Sequence, residues 1–186
     1  MQIQPIFASF IAEELLSIEI DNIVKYCRDL QRKDIGCTVS NRGGWQSTPI
    51  TKVNVANKKL LNIISTRVKA LHNHFSLENI FFDSYWVNIN KRGDYNAPHD
   101  HAKSFYSAVF YAAAPMNSGN LIFMHPIPFF ANYMQAKKYN YFTSNEWVVT
   151  PKTGLLIIFP SYLSHYVEPN TSPKDRISLA FNFNLK

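Results

Sequence analysis

The sequence predicts a mainly-β domain, built as an antiparallel barrel or jelly roll and preceded by two helices. The chain is rich in aromatic residues, with 14 Phe, 10 Tyr and 3 Trp, and such residues favour strands. From residue 80 onward, short runs of strand character alternate with turn signals, and no helical pattern lies between them. That arrangement favours antiparallel closure over alternating strand–helix units. The 186 residues, 46% of them apolar, suit a single domain spanning residues 1–186.

Two helices are expected in residues 1–79, which we assign as a helical support for a β core of residues 80–186. Residues 12–31 carry apolar side chains at helical spacing, and the acidic first half of this segment suits the helix dipole. Residues 55–74 repeat the apolar pattern, and Asn54 is a candidate N-cap. A glycine-bearing loop at residues 40–47 separates the two helices.

Six strands are expected in the core, and each is a short run of β-branched, aromatic and other apolar residues. They are predicted over residues 80–90, 104–113, 120–124, 146–149, 154–159 and 177–184. Residues 126–142 are aromatic-rich without a clear periodicity, which suggests an insertion or a lid over a site.

Charge and cysteine content narrow the class of protein. Nineteen Lys and Arg against 13 Asp and Glu give a formal charge of +6, but the basic residues are scattered, which favours a solvated surface over a nucleic-acid groove. Two cysteines, Cys27 and Cys37, form no CxxC pair or disulfide framework, which is typical of a reducing compartment. Neither a secretory signal nor a membrane-length apolar run of ~20 residues is evident. We therefore expect a soluble intracellular domain.

Three of the six histidines are candidate metal ligands. His99 and His101 are two residues apart, so on a strand both imidazoles would point to one face and could reach one ion, whereas Asp100 would point away. His165 follows an apolar strand, where a barrel brings a late strand beside an early one. Simple structural roles suffice for the remaining histidines, His72, His74 and His125.

Arg176 is a candidate anion-binding residue. Arg176 and Ser178 share one face of the last predicted strand, so a guanidinium fork and a hydroxyl point into the same space. That pairing suits the capture of a carboxylate. If this face lines a barrel, the buried Arg needs an anionic partner, and a bound dicarboxylate would supply one.

The order of these residues resembles the Fe(II)/2-oxoglutarate-dependent oxygenases, in particular the prolyl-hydroxylase-like branch of bacteria and phages. The resemblance rests on the HxH pair, the distal His165, and the ten residues between His165 and Arg176-x-Ser178. Further similar stretches span residues 40 to 184, at residues 43–47, 86–90, 107–111, 115–121 and 154–165. The resemblance implies a double-stranded β-helix, of the jelly-roll or cupin-like type, with the N-terminal helices packed on the larger sheet.

The resemblance also implies the roles of individual residues. His99 and His165, with His101, would bind Fe(II), while Arg176 and Ser178 would hold the distal carboxylate of 2-oxoglutarate. Asn90 and, after it, Asn88 are secondary candidates for binding this cosubstrate. The implied activity is that of a dioxygenase that consumes O₂, decarboxylates 2-oxoglutarate to succinate and CO₂, and oxidises a C–H bond, as in a hydroxylase.

One position departs from the common family pattern. Most of the superfamily has His-x-Asp/Glu at the first pair, whereas residue 101 is His here, which raises the charge of the site by one. HxH is usual in the phage-like subgroup. Asp100 could be a ligand only if the backbone departs from strand geometry, and an ammonium such as that of Lys103 cannot bind a metal. His101 is therefore the expected third ligand.

Alternatives from other classes remain open at this point. A cupin-type isomerase or dioxygenase would need a Glu shortly after HxH, where Phe105 and Tyr106 stand. A cupin-like, non-catalytic binding or structural module would keep the strands but has no need of Arg176 and Ser178.

The primary substrate, a peptide or a small molecule, and the oligomeric state are not specified by the sequence. The cytoplasm, or a host cytoplasm for a phage-encoded protein, is the expected location, with no membrane partner and nucleic acid a minority option.

Overall fold

In a computed structural model, the described residues of the chain form two β-sheets and two helices. The structure describes residues 1–2, 4, 8–53, 55–77, 79–127, 139–140 and 143–185. The helices are α1 (Asp21–Lys33) and α2 (Val55–His74). The strands are β1 (Ala12–Leu15), β2 (Asn41–Arg42), β3 (Trp45–Gln46), β4 (Ile80–Asn90), β5 (Tyr95–His99), β6 (Tyr106–Ala113), β7 (Leu121–Met124), β8 (Glu146–Val149), β9 (Leu155–Pro160), β10 (His165–Val167) and β11 (Arg176–Leu185).

The two sheets face each other across an apolar layer. The major sheet has the strand order β1-β9-β6-β11-β4-β3, and the minor sheet has the order β2-β5-β10-β7-β8. All the pairings are antiparallel. Side chains of both sheets meet in one core cluster that includes Tyr111 and Ile157 from the major sheet and Leu121 and Phe123 from the minor sheet. The architecture is the double-stranded β-helix that the sequence predicted.

Both faces of the major sheet are covered. Successive residues of a strand are therefore buried alternately in the apolar core beneath the helices and in the space between the two sheets. On β11, Ile177, Leu179 and Phe181 pack into the core cluster shared with the helices. The alternate residues Arg176, Ser178 and Ala180 line a cavity between the sheets. Because neighbours on a strand point to opposite faces, one strand contributes both the packing and the site.

The helices cover the outer face of the major sheet, as expected. Cys27 of α1 and Ile64 and Val68 of α2 are fully buried in the same cluster as Val87 and Phe110 of the sheet. In this apolar setting, burial raises the pKa of the Cys27 thiol to about 12. Both cysteines are free.

Helix α2 and the six predicted strands, which are β4, β6, β7, β8, β9 and β11, match the predictions with bounds that differ by two residues at most. The short strands β2, β3, β5 and β10 were not predicted, because each is too short to show a clear alternation in the sequence. The prediction of one helix over residues 12–31 is wrong in its first part. Residues Ala12–Leu15 form β1, which pairs with the edge strand β9, and α1 begins only at Asp21. The helical spacing of the apolar residues was misleading, because pairing with an open sheet edge satisfies the backbone groups of this short segment equally well.

Two sequence predictions concern residues outside the described parts of the chain. Asn54, the candidate N-cap, is one, and most of the aromatic-rich segment 126–142 is the other. Neither of the helices in the described residues is long and apolar enough to cross a membrane.

Ile64 offers a test of the packing between α2 and the major sheet. Its side chain is fully buried, so we expect Ile64→Ala to lower the free energy of unfolding by about 2–5 kcal/mol, through lost apolar contact and a residual cavity. Chemical denaturation of the variant measures the change. Lys69→Ala, at an exposed position of the same helix, is the matched control and should change the stability by less than about 0.5 kcal/mol. Equal effects of the two substitutions would contradict this packing.

Candidate metal and cosubstrate site

The pairing of β5 with β10 brings His99 and His165 together. The two residues are direct cross-strand partners in the minor sheet, and their ring centroids are 4.4 Å apart. The register shifts next to this pair, because Val167 pairs with Asn96. This β-bulge lets both Asn96 and His99 face the cavity, although they are three positions apart in the chain and would otherwise point to opposite faces.

His101 lies beyond the end of β5 and completes a cluster of three imidazoles. Its ring centroid is 5.2 Å from that of His99 and 5.2 Å from that of His165. One nitrogen from each of the three residues lies within 4.8 Å of the others. Within the described residues, no other group of three or more His, Cys, Asp or Glu has this metal-ligand geometry. Asp100 is exposed and accepts a hydrogen bond from the Ala102 amide, away from the cluster.

Hydrogen bonds on the far side of each ring determine which nitrogen is free. The Nδ1–H of His99 donates to the Ala97 carbonyl, and the Nδ1–H of His165 donates to the Leu163 carbonyl, both at 2.8 Å. Because a carbonyl only accepts, Nδ1 carries the proton in both rings. The Nε2 lone pair of each neutral ring is then available to a metal ion.

Burial keeps the three imidazoles neutral. Desolvation lowers the pKa of His99, and the neighbouring imidazoles add to the effect of desolvation in lowering the pKa of His101 to about 4 and that of His165 to about 3. At neutral pH, the cluster therefore presents lone pairs rather than protons. This is the protonation state that metal binding requires, since a protonated imidazole has no lone pair to donate.

Arg176 is a buried cation within the same cavity. Its side chain is 1% exposed, and Nη1 donates to the main-chain carbonyls of Ser118 and Glu168. Nη2 has no hydrogen-bond partner, and none of the ion pairs among the described residues includes this guanidinium. A buried charge without an anionic partner is costly. An anion at Nη2 would remove that cost.

Gly119 explains how the chain can wrap so closely around this guanidinium. Its φ is +86°, and a Cβ at this position would lie 2.9 Å from Nη1 of Arg176. Only glycine combines that backbone conformation with such a close approach. Gly119 is therefore part of the main-chain turn that surrounds the Arg176 guanidinium.

Three polar side chains form a row beside Arg176 on adjacent strands. Ser178 is the cross-strand partner of Asn88 on β4 and of Tyr111 on β6, and all three line the cavity. Burial raises the pKa of Tyr111 to about 12, so its hydroxyl remains a hydrogen-bond donor. The Oδ1 atom of Asn88 is buried without a partner. The sequence analysis missed Tyr111, because only strand register reveals that it neighbours Ser178.

The cavity that contains these groups is small, with a volume of about 50 Å³. His99, His101 and His165 lie on its wall together with Arg176 and Ser178. Arg176 carries the one formal charge among the lining residues, and the remainder of the wall is neutral polar or apolar, with Trp86 the largest aromatic. The space is therefore suited to a small anion held at one end.

The structure brings together most of the residues that the sequence singled out. The three histidines, Arg176, Ser178 and Asn88 share the cavity. Asn90 is buried on the same strand face but is not among the residues that line the cavity, and its carbonyl accepts a hydrogen bond from Asn170. His72 is buried in α2, in edge contact with the rings of Phe105 and Tyr106. It does not line the cavity, and neither do His74 and His125.

Several other aromatic residues of the described chain do not line the cavity. Trp45 and Tyr106 pack into the core, Trp147 is 39% exposed on the minor sheet, and Tyr141 lies outside the described residues. Trp86 occupies the wall instead, with its ring 5.2 Å from that of His101.

The residues of the site fit the groups that the family resemblance implied. Three neutral imidazoles are ligands that iron accepts in non-haem proteins. The unpartnered Nη2 of Arg176 fits a carboxylate, which a guanidinium binds through parallel hydrogen bonds. The row of hydroxyl and amide groups at Ser178, Asn88 and Tyr111 can satisfy further carboxylate oxygens.

Comparisons with known proteins agree with this reading of the fold. The chain is similar to a Pseudomonas putida prolyl-4-hydroxylase, with 18% identity, a TM-score of 0.66 and coverage of 95% of this chain and 92% of the other. It is similar to the viral collagen prolyl hydroxylase of Paramecium Bursaria Chlorella virus-1 in its 2-oxoglutarate complex, with 14% identity, a TM-score of 0.62 and coverage of 93% and 94%. HygX from Streptomyces hygroscopicus, solved with nickel, 2-oxoglutarate and hygromycin B, has 10% identity, a TM-score of 0.67 and coverage of 96% and 84%.

These structural likenesses establish the fold, whereas the sequence itself establishes the family. No curated protein matches the chain. A family model described as "Putative 2OG-Fe(II) oxygenase" matches residues 84–182, which is just over half of the chain and contains the three histidines and Arg176. The chain therefore belongs to the 2OG-Fe(II) oxygenase family, whose members depend on Fe(II) and 2-oxoglutarate.

Proposed function

We propose that His99, His101 and His165 hold Fe(II), and that Arg176 and Ser178 hold the distal carboxylate of 2-oxoglutarate, in a dioxygenase that hydroxylates an unidentified substrate. One observation carries this assignment: three neutral imidazoles and a buried guanidinium with a free Nη2 share a single cavity. Asn88 is a supporting residue for the cosubstrate. Asn90 is assigned a lesser role, because it is not among the residues that line the cavity.

Within this proposal, the protein positions its ligands and excludes water. When bound, Fe(II) and 2-oxoglutarate together supply the activation of O₂ that oxidises a C–H bond, with loss of CO₂ from the cosubstrate. The His99 and His165 rings are held by their main-chain hydrogen bonds, so their lone pairs are directed before the metal arrives. The guanidinium of Arg176 fixes one end of the cosubstrate, and the apolar part of the wall limits the access of water.

The third histidine changes the charge of the proposed centre. A divalent ion with three neutral imidazoles and Arg176 brings three positive charges into the cavity, against two for a site with one carboxylate ligand. A dianionic cosubstrate would leave one net positive charge. This balance favours anionic ligands at the metal and at Arg176.

The non-catalytic module is less consistent with the cavity. A structural scaffold gains nothing from a guanidinium that is 1% exposed and forms no ion pair among the described residues. The partly apolar wall instead suits a small ligand that enters and leaves.

We also propose that the primary substrate is a peptide or a small molecule, and that the protein works in a reducing cytoplasm. The printed names of the similar structures support the first point, since two are prolyl hydroxylases and one contains hygromycin B. The two free cysteines support the second.

The decisive experiment is an anaerobic titration of 2-oxoglutarate into the Fe(II)-loaded protein. We expect a visible charge-transfer band, which reports chelation of a keto acid by Fe(II). The band should saturate at one equivalent of cosubstrate. Protein that binds iron but gives no band would contradict the proposed cosubstrate site, and protein that binds no iron would contradict the metal site.

His165→Ala tests the metal ligands. Removing one of three imidazoles should abolish stoichiometric Fe(II) binding, because two remaining ligands hold the ion weakly. Equilibrium binding measured anaerobically gives the result, and the circular dichroism spectrum verifies that the variant is folded. His74→Ala, an exposed histidine at the end of α2, should bind Fe(II) like the parent protein. Undiminished binding by the His165 variant would exclude this residue as a ligand.

Arg176→Ala tests the cosubstrate carboxylate site. Loss of a charge-assisted hydrogen-bonding pair should weaken 2-oxoglutarate binding by about 1.5–3 kcal/mol, or about 10- to 150-fold in affinity. Arg176→Lys retains the charge but loses the fork, so it should recover only part of the affinity. The same charge-transfer titration measures both, and retained Fe(II) binding shows that each variant is folded. Arg92→Ala, at an exposed position, is the control; equal affinity in the Arg176 and Arg92 variants would refute the assignment.

A further inference from the structure

The three histidines of the cluster are held in two different ways. His99 and His165 each donate to a main-chain carbonyl two residues earlier in the chain. The Nδ1 atom of His101 instead contacts two side chains, Asn182 Oδ1 at 3.0 Å and Ser107 Oγ at 2.8 Å. The local backbone therefore orients two of the rings, whereas the side chains of Ser107 and Asn182 orient the third.

A chain of hydrogen bonds links these side chains across the major sheet. Ser107 on β6 donates to Asn182 Oδ1 on β11 at 3.1 Å, and its Oγ lies 2.8 Å from that of Ser161 at the end of β9. Ser107 and Ser161 are fully buried. With Ser161 donating to Ser107 and Ser107 donating to Asn182, the acceptors left for the Nδ1–H of His101 are Asn182 Oδ1 and Ser107 Oγ. This arrangement places the proton of His101 on Nδ1 and leaves its Nε2 with the lone pair.

His101 has particular need of such support because it lies outside a strand. β5 ends at His99, and the main-chain N–H of His101 donates to the carbonyl of Ser161, the residue that follows β9. Without an acceptor at Asn182, the ring could rotate about its side-chain torsions or adopt the other tautomer. Either change would withdraw the Nε2 lone pair from the position where it meets those of His99 and His165.

We propose that Asn182 is a positioning residue that, with Ser107, holds His101 in the tautomer and orientation required of the third metal ligand. This inference rests on the proposed metal site, because it assigns a role to a residue behind one of its ligands. The role requires an acceptor at residue 182, not merely a side chain of similar volume. Asn182→Asp retains the acceptor and adds a negative charge, which should strengthen the donation from the imidazole to the metal.

The test is the affinity of the metal-free protein for Co²⁺, measured by isothermal titration calorimetry, with the visible spectrum of the Co²⁺ form as a report on coordination. We expect Asn182→Ala to weaken Co²⁺ binding about 10- to 100-fold, the usual effect of losing a residue behind a ligand, and to alter the spectrum. Asn182→Asp should bind at least as tightly as the parent protein. The control is Asn184→Ala, the same substitution two residues along β11 and away from the cavity wall, which should leave both readouts unchanged.

The outcomes separate this inference from the proposed function. If the parent protein binds Co²⁺ and His101→Ala loses it, but Asn182→Ala binds normally, the positioning role is refuted while the metal site stands. If Asn182→Asp is weakened as much as Asn182→Ala, residue 182 does not act as an acceptor and the inference also fails. If the parent protein binds no Co²⁺, the proposed metal site fails, and the inference fails with it. Thermal unfolding of each metal-free variant verifies that it is folded.

Discussion

The pairing of β11 with β4 along its whole length, and with β6 over most of it, is the interaction on which the rest of the molecule depends. β11 runs through the centre of the major sheet, so its register determines what faces each side. One set of its side chains packs against the helices, and the alternate set faces the cavity. A slip of one residue would exchange the two sets, exposing Arg176 to the apolar core and leucine to the site. The stability of the fold and the geometry of the site therefore share one constraint.

Buried electrostatics form the second constraint. Among the described residues that line the cavity, Arg176 carries the one permanent charge, and burial keeps the three imidazoles neutral. The same desolvation that lowers the pKa of the histidines also makes the unpartnered guanidinium costly. A site of this kind is stabilised by what it binds, because a cation on the imidazoles and a carboxylate on the guanidinium each relieve a cost of burial. The proposed metal site and the proposed cosubstrate site therefore depend on the same physical cause, the burial of polar groups in this cavity.

Much of this could be read from the sequence. The strands of the core have strong alternation or continuous apolar character, since both faces of the major sheet are buried, and their turn residues are distinct. His99, His165, Arg176 and Ser178 were identifiable from residue type and spacing. The helix prediction failed at residues 12–15, where apolar residues have helix-like spacing but the segment forms a four-residue edge strand. The segment is a strand because it pairs with the otherwise unpaired edge of β9, which the sequence does not reveal.

The sequence by itself determined the six longer or more apolar strands, the family motif and the shared face of Arg176 and Ser178, because these depend on local periodicity and on residues close together in the chain. The short strands β5 and β10, which pair His99 with His165, were not apparent from it. Only the tertiary structure decided which polar residues meet. The β-bulge at His99, the alignment of Tyr111 and Asn88 with Ser178, and the support of His101 by Asn182 all depend on strand register between residues far apart in sequence. Register is set by the packing of whole sheets, and no short stretch of sequence encodes it.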